Sequence, residues 1–131
     1  MGFPKKSNKY YEGCWFEKKW GTLHEIVSVY ADLKDVINAT GITYKKQYWG
    51  VRINGKDTCV IKFRPQKERF FIEIKGTDDS LLTEYQSKLP ITFIYPKMDT
   101  WKKNYYRIEL HDYVEYLILA DDIKELISRL I

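Results

Sequence analysis

Three charged side chains carry the strongest chemical suggestion in this chain: Asp57, then Glu73 sixteen residues later, and Lys75 two beyond that. Their types and order are the skeleton of a magnesium-dependent nuclease site. Two carboxylates would share a divalent ion through oxygens at about 2.1 Å. The lysine would steady the attacking hydroxide or the charge of the transition state. Such chemistry works only if the three groups converge, so it depends on the strands that carry them.

Those strands can be read from the alternation of apolar residues. ITYKKQYWGVRIN, TCVIKFR and RFFIEIK are strand-like segments separated by the turn-forming clusters GKD and PQKE, which predicts an antiparallel meander. A four-residue loop from Pro65 to Glu68 pairs Arg64 with Arg69, Phe63 with Phe70, Ile61 with Ile72 and Cys59 with Ile74. The other side then holds Lys62 opposite Phe71, Val60 opposite Glu73 and Thr58 opposite Lys75. A three-residue turn at Gly55 to Asp57 sets Ile53, Val51 and Trp49 against Cys59, Ile61 and Phe63. In this register Asp57 has the parity of Cys59 and Ile61, so it points to the apolar side, away from Glu73 and Lys75. Only a bulge near Gly55 would bring it round.

The outward side of the meander carries Tyr48, Arg52, Lys62, Arg64, Phe71 and Lys75. Single-strand binding uses this mixture, since cations neutralise phosphates while rings offer stacking area to any base. If the last helix or the leading segment covered Phe71, Val60 and Tyr48, the same side would instead be a second core with lysine stems along its rim.

The remaining elements frame the meander. Thr22 and Glu25 form a capping box before a helix with Leu23, Ile26, Val27, Tyr30, Leu33 and Ile37 on one face, stopped at Gly41. Asp78 or Asp79 caps a short middle helix carrying Leu81, Leu82, Tyr85 and Leu89, which Pro90 ends. ITFIY is a strand, residues 96–104 a loop, and YYRIEL and YVEYLILA a pair of strands. Asp121 is expected to cap a last helix with Ile123, Leu126, Ile127 and Leu130. Residues 1–21 are a basic, aromatic lead, and residues 22–131 are expected to form a single α+β domain: an antiparallel meander of five to six strands in total, packed with N-terminal, short middle and C-terminal helices.

At 131 residues, with 44% apolar and 16% aromatic composition, the chain has material for one core. Residues 1–75 hold 15 Lys and Arg against 8 Asp and Glu, while residues 76–131 hold 7 against 10. The basic front favours a polyanion partner. In the lead, Lys5, Lys6, Lys9, Lys18 and Lys19 among Tyr10, Tyr11, Trp15, Phe16 and Trp20 suit a basic arm ordering on nucleic acid, or a strap packing on the domain. Cys14, Cys59, His24 and His111 have no zinc spacing. Cys59 is expected in the core and both histidines at the surface. The acidic set Asp112, Glu115, Asp121, Asp122 and Glu125 lacks a calcium-loop pattern and is expected to be solvated. The opening MGFPKKSNKYY has no apolar central run of a signal peptide, no segment reaches membrane-spanning length, and a cytoplasmic setting follows as the expectation.

Two resemblances bear on function. KDTCVIKFRPQKERFFIEIKG resembles the PD-(D/E)xK nuclease core, with Lys56 standing where that motif has proline. It implies Asp57 and Glu73 as magnesium ligands and Lys75 as the catalytic lysine. YWGVRI, IKFRPQKERFFIEIK, YYRIEL and DDIKELISRLI are similar to a family of small uncharacterised domains, sometimes labelled predicted transport proteins, found alone or appended to restriction-type and other nuclease proteins. It implies helix, β-meander, irregular middle, strand and final helix, and supplies no established catalytic residues to carry over. The expectation is therefore a non-catalytic binding domain without cofactor, accessory to a nuclease or defence system, whose partner is nucleic acid or a nucleic-acid-processing protein and not a membrane. The alternatives are a small phage-type inhibitor that binds a host defence nuclease through the acidic C-terminal portion, and a magnesium endonuclease.

Overall fold

A strand with apolar residues at every second position buries one face and offers the other. In the computed structural model, which describes residues 22–45, 47–53, 60–95 and 103–131, six such strands form one sheet. They are β1 (Ala39–Tyr44), β2 (Trp49–Ile53), β3 (Ile61–Pro65), β4 (Phe70–Lys75), β5 (Ile91–Ile94) and β6 (Tyr105–Leu110). The helices are α1 (Leu23–Leu33), α2 (Leu82–Gln86) and α3 (Tyr113–Leu130). Every neighbouring pair is antiparallel and the order is β1-β2-β3-β4-β6-β5, which is the expected α+β architecture.

The core lies on one side of the sheet. Val51, Ile61, Phe63, Phe70, Ile72, Ile74, Tyr106, Ile108 and Leu110 meet Leu23, Ile26, Val29 and Leu33 of α1 and Tyr116, Ala120, Ile123, Leu126 and Ile127 of α3 in a single apolar cluster. Val27, expected on the buried face of α1, is exposed, and Val29 takes its place. Tyrosine hydroxyls tie the helices down at their edges. Tyr106 donates to the Asp78 carbonyl at 2.7 Å and accepts from the Leu81 amide at 3.2 Å, which seats the start of α2. Tyr85 donates to Glu125 of α3 at 2.6 Å.

Several local expectations give way to tertiary contacts. Thr22 and Glu25 form no capping box: the Thr22 hydroxyl donates to the carbonyls of Gln66 and Arg69, at 2.9 and 3.1 Å, and the Glu25 carboxylate accepts the amide of Tyr113. Both polar groups thus anchor α1 to the β3–β4 turn and to the start of α3. The left-handed residue after α1 is Asn38, at φ 51°, a conformation asparagine tolerates. Gly41 lies within β1, where an added Cβ would come 2.9 Å from Arg52 Nη2. The segment ITYKKQYWGVRIN is a hairpin and not one strand, closed by the Lys45 amide on the Tyr48 carbonyl at 3.0 Å. No Gly, Pro or Asn marks that turn.

The β2–β3 pairs Trp49↔Phe63 and Val51↔Ile61 are as expected. In the next hairpin the register moves by two residues: Pro65 pairs with Phe70, Arg64 with Phe71, Phe63 with Ile72, Lys62 with Glu73 and Ile61 with Ile74. The Gln66 amide bonds the Arg69 carbonyl at 2.8 Å, leaving only Lys67 and Glu68 in the turn. A two-residue shift keeps every side chain on its face, so apolar alternation cannot detect it. Beside that hydrogen-bonded pair, Pro65 occupies a position whose missing amide points toward β2, and the β2–β3 pairing has already ended at Phe63.

YVEYLILA, expected as a strand, forms the first two turns of α3. Its start is set by Asp112, whose carboxylate accepts the Glu115 amide at 2.7 Å, so Asp112 and not Asp121 is the cap. With that segment helical, YYRIEL is left as a strand between β4 and β5.

At the α1–α3 contact, buried Tyr116 donates to Asp32 Oδ2 at 2.6 Å and Lys124 Nζ lies 3.0 Å from the same oxygen. The tyrosine hydrogen bond, followed by the lysine, holds the Asp32 carboxyl below the usual carboxylate range. Burial, reinforced by Asp32, pushes the Tyr116 phenol far above its ordinary value. A carboxyl whose folded pKa is depressed stabilises above its unfolded pKa, and that contribution fades as pH falls through the ordinary range toward the lowered value. Urea unfolding of Asp32→Asn is therefore expected to show a deficit of about 1 kcal/mol or less at neutral pH, because the pair is partly solvated. The gap should narrow near about pH 3, and an undiminished gap there would contradict the assignment.

Candidate nucleic-acid interface

Side chains directed away from α1 and α3 form the second face of the sheet. Pairing places Lys62 and Arg64 of β3, Phe71, Glu73 and Lys75 of β4, and Tyr105, Arg107 and Glu109 of β6 side by side there. Its organising group is the Glu73 carboxylate, which has no solvent exposure. One oxygen accepts from Arg64 Nε at 3.2 Å. The other lies 2.8 Å from Arg107 Nε and 2.7 Å from Arg107 Nη2. The second contact is a two-nitrogen grip on one oxygen, and both guanidinium groups are held at fixed positions across three strands.

Aromatic rings complete the lattice. The Arg107 guanidinium lies 4.5 Å and that of Arg69 5.2 Å from the Phe71 ring centre, and Arg107 Nη2 also donates to the Tyr105 hydroxyl at 3.2 Å. Lys62 Nζ stands 4.4 Å from the Tyr48 ring and Arg64 5.4 Å from it. Cation–π contacts of this kind contribute roughly 0.5–2 kcal/mol according to desolvation. Arg69 pairs with Glu109 at 2.9 Å and remains half exposed.

The six residues expected on the outward side divide into two groups. Tyr48, Lys62, Arg64 and Phe71 come together in this lattice, while Arg52 is exposed toward β1 and Lys75 lines a shallow cleft with Arg129 and Ile131. Phe71 retains only 7% of its surface and Lys62 only 3%, so the middle of the face is packed, while Arg52, Arg69 and, in part, Arg107 reach solvent at the rim. Phe71 therefore serves as a platform for arginines. Sequence reasoning missed Arg69, Tyr105 and Arg107. The alternation in YYRIEL marks Tyr105 and Arg107 as sharing a side, but their place beside Glu73 requires β6 to be inserted next to β4.

The nuclease constellation receives a partial answer. Glu73 and Lys75 share this face, Asp57 lies outside the described residues, and so does the lead of residues 1–21. A divalent ion at Glu73 would have to displace both arginines, since each carboxylate oxygen already holds a guanidinium. Among the described residues no three His, Cys, Asp or Glu side chains gather closely enough to hold a metal. His24 and His111 are exposed, the latter 3.0 Å from Glu115. No described helix is long and apolar enough to cross a membrane. No family model, curated protein or solved structure matches the chain.

Removing one member of a buried ion cluster leaves the others with an uncompensated charge. Glu73→Ala is expected to cost about 2–4 kcal/mol in urea unfolding, below the figure for full burial because the arginines reach solvent. Adding Arg107→Met to that variant should recover part of the loss. A fully additive second loss would show that the cluster is not coupled.

Proposed function

We propose that the domain is a non-catalytic nucleic-acid-binding module that meets the phosphate backbone with the arginine-rich face of its sheet. The observation that supports this reading is the guanidinium lattice. Arg64 and Arg107 are held by a buried carboxylate and Arg69 lies against Phe71, so these forks are oriented before any ligand arrives. Preorganised donors lose less side-chain entropy on binding than free ones. On the same face five cations, Arg52, Arg64, Arg69, Lys75 and Arg107, stand against the carboxylates of Glu73 and Glu109. The excess positive charge suits a polyanion.

Backbone contact, more than base stacking, is the mode this face favours, because Phe71 is buried and its ring already carries arginines. Sequence preference is then weak and salt dependence strong. A place beside a nuclease, as accessory or tether, follows from such chemistry without requiring a reaction centre of its own.

Fluorescence anisotropy with a labelled single-stranded oligonucleotide across a salt series tests the proposal. Affinity is expected to fall as salt rises, with log K changing by about 0.7 per phosphate neutralised for each unit of log salt. Arg52→Ala with Arg69→Ala, both at the exposed rim, should flatten that slope by about 1.4 while thermal unfolding is little changed. Binding that is absent at low salt refutes the proposal. Magnesium-dependent cleavage abolished by Glu73→Gln would instead establish the nuclease.

A further inference from the structure

A recess of about 460 Å³ opens where β5 and β6 meet the end of α2. Leu89, Pro90 and Ile91 supply its apolar wall, and four polar residues surround it: Gln86, Thr92, Arg107 and Glu109. An apolar wall with a few polar groups, at roughly 300–1,000 Å³, is the usual form of a small-ligand site. Strand pairing assembles it. Thr92 of the edge strand stands opposite Arg107, and Glu109 follows Arg107 by two residues, on the same side of the sheet. Arg107 and Glu109 also belong to the arginine-rich face, so the recess continues that face toward the open edge.

Each polar group here has hydrogen-bonding capacity left over. Arg107 uses Nε and Nη2 on Glu73 and the Tyr105 hydroxyl, and its Nη1 has no partner among the described residues. Glu109 meets Arg69 through Oε1 at 2.9 Å, which leaves Oε2. Gln86 and Thr92 are exposed, with no side-chain hydrogen bond to any described residue. A phosphate suits the guanidinium but is repelled by the carboxylate beside it. A flat heterocycle with donors and acceptors along one edge suits both, and its ring can lie on the apolar wall.

Building on the phosphate-backbone reading above, we propose that this recess is a nucleobase subsite selective for guanine, taken from a single strand whose phosphates meet the arginines. A carboxylate only accepts hydrogen bonds. Among the common bases, guanine presents two adjacent N–H donors beside a carbonyl on its Watson–Crick edge. N1–H and the 2-amino group match the Glu109 carboxylate, while O6 matches Arg107 Nη1 or the Gln86 amide. Adenine, cytosine and thymine each bring a single donor group to that edge. One such subsite fixes the base at one position and leaves the preference over a long strand weak.

Fluorescence anisotropy at low salt, with a thymine tract of about ten nucleotides and the same tract carrying one central guanine, tests this on the full chain. The guanine strand is expected to bind about tenfold more tightly. Inosine, which lacks the 2-amino donor, should lose most of that advantage, and adenine, the control for purine stacking, should gain less than guanine. Thr92→Trp, an exposed position whose new ring fills the recess, should erase the advantage while the salt slope of the thymine tract stays as it was. Glu109→Gln removes a negative charge and should tighten every strand, yet shrink the ratio of guanine to thymine, which a purely electrostatic role would not move. Salt-dependent binding with equal affinity for all strands overturns the subsite and leaves the backbone reading standing. Binding to no strand overturns both. A guanine advantage that survives Thr92→Trp and Glu109→Gln also overturns the subsite, because the base is then read elsewhere. Circular dichroism of each variant separates these results from unfolding.

Discussion

The carboxylate of Glu73 is the constraint on which the outer face of this molecule depends. A buried carboxylate is costly unless its charge is met, and here it is met by Arg64 from one side and Arg107 from the other. That requirement selects between registers that apolar burial treats alike. Moving β3 and β4 by two residues would keep the core intact and place Val60 opposite Glu73, with Arg64 carried away from it. The ion cluster thus distinguishes one pairing among those the hydrophobic effect permits. It also joins β3, β4 and β6, three strands that are not consecutive in the chain.

The aromatic richness of the sequence has two uses. On the inner side, tyrosines are struts: rings fill the core while hydroxyls reach its edge, as Tyr85, Tyr106 and Tyr116 do toward Glu125, Asp78 and Asp32. On the outer side, Tyr48, Phe71 and Tyr105 lie under cations and limit how far the long side chains can move. Phe71 is therefore buried yet stands apart from the main core cluster. The outer face thus has a packed floor and a charged rim.

Glu73 and Lys75 show how one pattern of residues can answer two different problems. Acid-x-Lys on a strand is what a metal-dependent nuclease places beside its ion, and it is equally what an exposed strand uses for cross-strand charge pairing. Spacing alone cannot separate the two, because both need the side chains on one face. Arg107, thirty-four residues downstream of Glu73, occupies the carboxylate that a metal would need.

Much of the fold was legible from local pattern. Period-2 alternation located β2, β3, β4 and β6 and their buried faces, helical spacing located α1 and the end of α3, and Pro90 with Tyr85 and Leu89 marked α2. Those signals are local, carried by residues within one or two turns or pleats of each other. The β1–β2 turn was hidden because its residues, 45–48, include no Gly, Pro, Asn or Asp. The start of α3 was hidden because Val114, Leu117 and Ile118, exposed on the helix, fill the gaps between its buried positions and make the segment look continuously apolar. What sequence alone determined is which side of each strand is apolar, since the chemistry of a side chain and the parity of its position are written together. Which strands become neighbours, and so which arginines reach Glu73, was decided only in the tertiary structure: burying a charge requires partners from distant segments, and no local spacing encodes them.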